Sequence, residues 1–175
     1  MNGAPTLGTG VSSLPPGGAR VALGRPGGGS APCPLCATAG GTLVWQGTHL
    51  RVIRADEAGF PAFYRVVWQR HVAEFSDLSP AERQHCMDAV VVVESALREF
   101  LQPTKINLAA LGNVVPHLHW HVIARFEGDS HFPAPVWAAA VRDRDAQAEA
   151  VVAERLPALE QALAERLAAL PAPPL

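Results

Sequence analysis

Three histidines alternate with apolar residues in one short segment of this chain. The segment reads His-Leu-His-Trp-His from residue 117 to residue 121 and continues to Phe126. If it is a β-strand, His117, His119 and His121 share one face, because successive side chains of a strand point to opposite faces. The other face is then apolar and predicted to be core: Leu118, Trp120, Val122, Ala124 and Phe126. Imidazole titrates at about pH 6.5, so it can act as a nucleophile or a proton carrier, and it also binds metals. This row therefore predicts a catalytic site or a metal site.

Two cysteines earlier in the chain suggest a metal. Cys33 and Cys36 have the C-x-x-C spacing of a zinc knuckle, and a tetrahedral zinc needs two more ligands. His71, at the end of a predicted strand, is a candidate third ligand, and one of the three clustered histidines could be the fourth. The alternatives are a pair of reduced thiols and, less favoured, a redox motif, because no predicted helix start follows Cys36 closely.

Hydrophobic patterning predicts the elements that carry these residues. A helix is predicted from Pro80 to about Leu101, because Ser79 and Glu82 form a capping box and Pro103 stops it. Its buried face is an apolar stripe at spacings of three and four: Cys86, Val90, Val93, Leu97 and Phe100 or Leu101. Strands are predicted at residues 42–45, 50–54, 63–69, 105–111 and 117–126.

The two ends of the chain differ in composition from the middle. Residues 1–30 hold nine Gly and four Pro and no acidic residue, so we expect a disordered arm. Residues 31–138 are the predicted catalytic domain. Residues 139–175 are rich in Ala, Leu, Glu and Arg at helical spacing, with Pro157 starting a second helical piece, and are predicted as a C-terminal helical extension. Its apolar stripe would pack on the domain or on a partner chain.

Composition excludes several classes of partner. The net charge is −2, from 14 Lys and Arg against 16 Asp and Glu, which gives no basic footprint for nucleic acid. No apolar run is long enough to span a bilayer, so no membrane partner is expected. Three cysteines are too few for a disulfide framework and indicate a reducing, cytoplasmic location.

The histidine segment resembles the motif of the histidine triad (HIT) superfamily, in which three histidines alternate with apolar residues. Asn107, the Gly112-Asn113 turn and the Arg70-His71-Val72 segment are similar to that family's upstream sequence, and the resemblance covers roughly residues 33–137. It implies an α+β fold, with a main helix packed on an antiparallel sheet, and a homodimer. It also implies nucleotidyl transfer or hydrolysis through a covalent nucleotidyl-histidine.

The resemblance assigns roles to individual positions. His119 would be the nucleophile, with His117 and His121 flanking it and stabilising the phosphate oxygens when protonated. Substrate-binding residues would be Asn107 near the ribose, Gly112 and Asn113 near the phosphate, and Trp137 over the base unless it only caps the core. Zinc-containing relatives use the positions that match Cys33, Cys36, His71 and His117. One departure is Val114, where many relatives have a Ser or Thr hydroxyl for the α-phosphate.

Together these features predict an enzyme that cleaves a small-molecule nucleotide, such as a phosphoramidate or a dinucleoside polyphosphate, at its α-phosphate and releases nucleoside monophosphate. One alternative is a nucleotide-binding regulatory protein with little turnover. Another is a zinc-stabilised interaction module that uses the C-terminal helix as its contact surface. Three clustered imidazoles are costly to desolvate unless they are paired or used, which favours the enzyme.

Overall fold

The computed structural model describes residues 33–173, so the predicted arm at residues 1–30 lies outside the described residues. Five antiparallel strands form one sheet in the order β1-β2-β3-β5-β4. In chain order the elements are α1 (Pro34–Ala37), β1 (Thr42–Gln46), β2 (Leu50–Arg54), β3 (Phe63–Trp68), α2 (Pro80–Leu101), β4 (Lys105–Ala109), β5 (His119–Arg125), α3 (Ala146–Ala153) and α4 (Leu156–Ala168). The predicted α+β fold, with a main helix on an antiparallel sheet, is confirmed.

Helix α2 begins and ends as its sequence predicts. The Ser79 hydroxyl accepts the backbone N–H of Glu82, and the Glu82 carboxylate accepts the N–H of Ser79, so two unpaired donors of the first turn are satisfied. At the other end Gln102 adopts a left-handed conformation, with φ of 51°, just before Pro103. The predicted stripe is buried against the sheet: Cys86, Val90, Val93, Leu97 and Leu101.

The two faces of the sheet have different surroundings. Alternate residues of β3 and β5, such as Val66 and Val122, lie in the main core under α2 and α4. The residues between them, such as Phe63 and Ile123, point to the opposite face together with His119 and His121. The predicted division of the histidine strand into an apolar face and an imidazole face is confirmed. Helices α2 and α4 lie on the apolar face, and Leu35 of the short helix α1 packs on Ile53 and Val67 of the imidazole face.

The C-terminal stripe packs on the domain itself. Four leucines of α4 join the same core as α2: Leu156, Leu159, Leu163 and Leu167. Arg54 of β2 also donates to Glu160 of α4 at 2.6 Å. Pro157 lies in the first turn of α4, as predicted, whereas residues 138–145 carry no helix, because α3 begins only where the Asp145 side chain caps it. Along the described residues, no helix has the length and apolar character needed to cross a bilayer.

Strand β5 is shorter than predicted and begins at His119 rather than His117. The N–H of His117 donates to the carbonyl of Val115 at 2.8 Å, and the N–H of Leu118 donates to the carbonyl of Val72 at 2.7 Å. Because these hydrogen bonds replace the sheet ladder, His117 sits in an irregular segment just before the strand. A second difference is α1, a single helical turn that contains Cys36, where no helix start was expected.

Candidate active site and metal centre

His119 is held in one orientation by its own chain. Its Nδ1–H donates to the carbonyl of His117 at 2.6 Å, and a carbonyl can only accept, so in the neutral ring the lone pair lies on Nε2. Burial lowers the pKa of His119, and the charge of Arg65 lowers it further, while the hydrogen bond to the carbonyl opposes both. His119 is therefore a neutral imidazole with its free nitrogen available as a nucleophile.

His121 lies beside His119 in an aromatic surrounding. Its ring centroid is 4.7 Å from that of His119, 5.3 Å from Phe63 and 5.2 Å from Trp137. Burial, with smaller contributions from His119 and Arg65, lowers the pKa of His121 to about 3. In the free protein His121 is thus neutral at pH 7. Its buried Nδ1 has no hydrogen-bond partner among residues 33–173.

Two thiols and two imidazoles converge at the end of β3. The ligand atoms of Cys33, Cys36, His71 and His117 all lie within 4.8 Å of one another. The Nδ1 of His117 is 3.4 Å from each sulfur and 3.2 Å from the Nδ1 of His71. Tetrahedral zinc, with bonds of about 2.3 Å to sulfur and 2.0–2.1 Å to nitrogen, needs S–N edges of about 3.6 Å and N–N edges of about 3.4 Å. These four residues could hold a metal ion.

Hydrogen bonds around the cluster orient its donors. The Nε2–H of His117 donates to the carbonyl of Trp68 at 2.6 Å, which leaves the Nδ1 lone pair facing the other three ligands. From β2, Arg51 donates to the carbonyls of Leu35 and Ala39 on either side of Cys36. The segment that carries both cysteines is therefore fixed to the sheet.

Asn107 lies on the imidazole face of the sheet, but its side-chain oxygen is already used. It accepts a hydrogen bond of 2.7 Å from Arg125, which also makes a two-bond ion pair with Asp129 and donates to the carbonyl of Ala134. The sequence placed Arg125 on the histidine face, yet this buried network was not predicted. An arginine on the buried face of an apolar strand is the signal that could have revealed it, since such a charge needs partners.

Of the remaining predicted binding residues, Trp137 borders the histidines, whereas Gly112 and Asn113 lie in the loop before His117. Trp137 is half exposed, with its ring against His121. Gly112 has φ of +72°, a conformation that favours glycine, and starts the irregular loop that leads to His117. Asn113 in this loop is exposed.

One residue near the histidines was not predicted. Arg65 of β3 is paired in register with His121 of β5 and therefore shares its face of the sheet. The sequence shows an arginine inside an apolar strand, but it does not show which strand lies beside it. That neighbour comes from the topology, which places β5 between β3 and β4.

Comparisons with known proteins agree with this geometry. The family model described as HIT domain matches residues 39–128, just over half of the chain. A histidine triad protein of Bradyrhizobium japonicum is similar in structure, with 28% identity and a TM-score of 0.59, covering 74% of this chain and 92% of that one. A HIT protein of Sinorhizobium meliloti shares 26% identity with a TM-score of 0.57, covering 73% and 90%. A histidine triad protein of Marinobacter aquaeolei, at 24% identity and a TM-score of 0.59, covering 76% and 94%, has the same fold.

A comparison with curated proteins gives no match. The matched residues include β2 to β5 and the whole row of three histidines. The chain therefore belongs to the histidine triad (HIT) family, a family of nucleotide-binding proteins and hydrolases.

Proposed function

We propose that this protein is a nucleotide hydrolase or nucleotidyl transferase that acts through a covalent nucleotidyl-histidine on His119. The observation that supports this most directly is the hydrogen bond from the Nδ1–H of His119 to the carbonyl of His117. It leaves the Nε2 lone pair free, on the face of the sheet opposite to helices α2 and α4. A neutral, oriented imidazole is what nucleophilic catalysis at neutral pH requires.

The reaction has two displacements at one phosphorus atom. The Nε2 of His119 attacks the α-phosphorus, a P–N bond forms, and the bond to the leaving group breaks with its electron pair. The ring gains positive charge in this step, and the carbonyl of His117 stabilises it through the Nδ1–H. Water then attacks the same phosphorus, the P–N bond breaks, and nucleoside monophosphate leaves. In the tautomer that carries its hydrogen on Nδ1, neutral His121 can donate a hydrogen bond from this unpartnered atom to an oxygen of the phosphate or of the leaving group.

We propose zinc as the metal of the Cys33, Cys36, His71 and His117 cluster. Two thiolates and two imidazoles are a common donor set for structural zinc, and the distances between the donors are close to those of a tetrahedron. When bound, the ion would cross-link α1, the end of β3 and the segment before β5. With four protein ligands it has no open position for substrate. Its effect on the reaction would pass through His117, whose carbonyl orients His119.

The substrate would be a small nucleotide, with Asn107, Gly112, Asn113 and Trp137 as its binding residues. Trp137 supports this assignment, because its half-exposed ring borders His121 and offers a face for a base. A second copy of the chain is the proposed partner. Along the described chain β4 pairs with only one strand, β5, and Leu108 on it is 41% exposed, so this edge can extend the sheet in a homodimer. A zinc-thiolate cluster would suit a reducing cytoplasm.

The test is release of nucleoside monophosphate from adenosine 5′-phosphoramidate and from diadenosine polyphosphates. We expect turnover by the wild type and none above background by His119→Ala. His49→Ala is the matched control, since that imidazole stacks on Trp68 at the helix-covered face. After an alkaline quench, the intact mass of the wild type should include one nucleotidyl group. Nucleotide binding by both proteins without turnover in either would instead favour the regulatory protein.

A further inference from the structure

Arg65 places a positive charge on the imidazole face of the sheet. The register of β3 and β5 pairs Arg65 with His121 and Val67 with His119, so both pairs point to the same side. The arginine thus lies at the His121 end of the row, away from the metal cluster that includes His117.

The guanidinium of Arg65 is short of partners. Its Nε is buried and has no hydrogen-bond acceptor within residues 33–173, and it makes no ion pair within 4 Å of a described carboxylate. The guanidinium carbon, Cζ, of Arg65 lies 5.4 Å from the centroid of the Phe63 ring. Burial lowers the pKa of Arg65, and the charge of the exposed Glu57 opposes this from beyond ion-pair distance.

Two other arginines of the same face show how this fold treats a buried guanidinium. Arg51 donates four hydrogen bonds, and Arg125 donates four, two of them to Asp129. Arg65 is half-buried, and its buried Nε has no such partner along the described chain. A buried donor without an acceptor is costly, so a ligand oxygen that completes its hydrogen bonds would be favoured. Arg65 therefore differs from its neighbours in having unused donors next to the proposed nucleophile.

The proposed reaction needs a positive charge at this place. A nucleotide phosphate brings negative charge, and His121 is neutral in the free protein. We propose that Arg65 is a phosphate-binding residue, which donates hydrogen bonds to the non-bridging oxygens of the phosphate that His119 attacks. This inference rests on the proposed function and adds to it the group that neutralises the phosphate.

The chemistry of arginine sets what this residue can recognise. A guanidinium stays charged at all ordinary pH values and presents a planar fork of donors, which matches two oxygens of one phosphate. The site should accordingly prefer ligands with an anionic phosphate over the corresponding nucleosides. As charge moves to the non-bridging oxygens during displacement, the same hydrogen bonds become stronger and lower the barrier.

Binding and turnover of Arg65 variants test the inference. Isothermal titration compares AMP and GMP with adenosine and guanosine, for the wild type, Arg65→Gln, Arg65→Lys and the control Arg98→Gln. Arg98 is an exposed residue of α2, so Arg98→Gln removes the same charge at a position away from the histidines. We expect Arg65→Gln to weaken monophosphate binding about tenfold or more and to leave nucleoside binding unchanged. Its kcat/KM for adenosine 5′-phosphoramidate should fall about 10²-fold, with partial recovery in Arg65→Lys.

The outcomes separate this inference from the proposed function. If Arg65→Gln binds monophosphates and turns over like the wild type, Arg65 is not a phosphate-binding residue, although His119 can still be the nucleophile. If the wild type binds no monophosphate and has no turnover, both fail. Thermal unfolding verifies that each variant is folded. Should Arg65→Gln not fold, Arg65→Met, which can pack on Phe63, is used for the same comparison with the same expected losses.

Discussion

Removing one partner of the buried ion pair of Arg125 and Asp129 should strongly destabilise the fold. The two side chains are 1% and 7% exposed, and two hydrogen bonds of 2.7 and 2.9 Å join them. In Asp129→Ala the guanidinium keeps only the oxygens of Asn107 and Ala134. Removing one partner of a buried pair costs about 3–5 kcal/mol, because the other charge stays buried without compensation. The whole folding free energy of a domain is about 5–15 kcal/mol, so this loss is severe.

Urea unfolding at pH 7 measures this cost, with an unchanged m-value as the sign that the unfolding reaction is the same. The matched control is Glu149→Ala, which breaks the exposed ion pair with Arg144 and should cost much less, because solvent screens that pair. The double variant Arg125→Met with Asp129→Ala should be more stable than the sum of the single losses predicts, since no charge is left buried. Equal, small costs for Asp129→Ala and Glu149→Ala would refute the reasoning.

The same contact gives a pH dependence with a definite sign. Burial alone would raise the pKa of Asp129, but hydrogen bonds from Arg125 and from the N–H groups of His131 and Phe132 hold it below its usual value. A carboxyl whose pKa is lower in the folded state stabilises the fold above its unfolded pKa, about 3.9, and this stabilisation is lost as the pH falls through the folded pKa. The difference in free energy of unfolding between the wild type and Asp129→Ala should therefore become smaller as the pH is lowered below 4.

Three further predictions follow from other contacts. Zinc content, measured by elemental analysis, should be about one per chain in the wild type and close to zero in Cys36→Ser, whereas Cys86→Ser should keep its zinc because that thiol lies in the core. The free energy of unfolding should fall from pH 7 to pH 4, because His121 takes up a proton at about pH 6.5 in the unfolded chain and only at about pH 3 in the folded one. If the free energy of unfolding of His121→Phe fell just as steeply with pH, this explanation would be wrong. Ser79→Ala should cost about 1 kcal/mol in urea unfolding through loss of the helix cap, and Ser95→Ala, on the exposed face of α2, should cost less.

Local patterns predicted the features that depend on neighbours in the sequence. The cap of α2 needs only Ser79 and Glu82, and the imidazole face needs only the alternation of one strand. His71 was predicted as a ligand because zinc needs four donors, and the structure brings it to the cysteines.

Features that depend on distant pairing were not predictable in this way. Nothing near Arg65 in the sequence indicates that His121 lies beside it, because the register of β3 with β5 is set by packing over the whole sheet. The start of β5 was predicted wrongly for a similar reason. The hydrogen bond from the N–H of Leu118 to the carbonyl of Val72, which replaces the sheet ladder there, joins segments that are distant in the sequence.

The packing of α4 against the sheet also has a consequence for folding during synthesis on the ribosome. Arg54 and Glu160, which join β2 to α4, are 106 residues apart. At about 5–20 residues per second, a ribosome needs roughly 5–20 s to synthesise the chain between them. During that time β3, β4 and β5 are synthesised as well, so the whole sheet exists before the leucines that finish its core, such as Leu159 and Leu163. The nascent chain therefore carries an exposed apolar surface that a chaperone can bind, until α4 is synthesised and covers it.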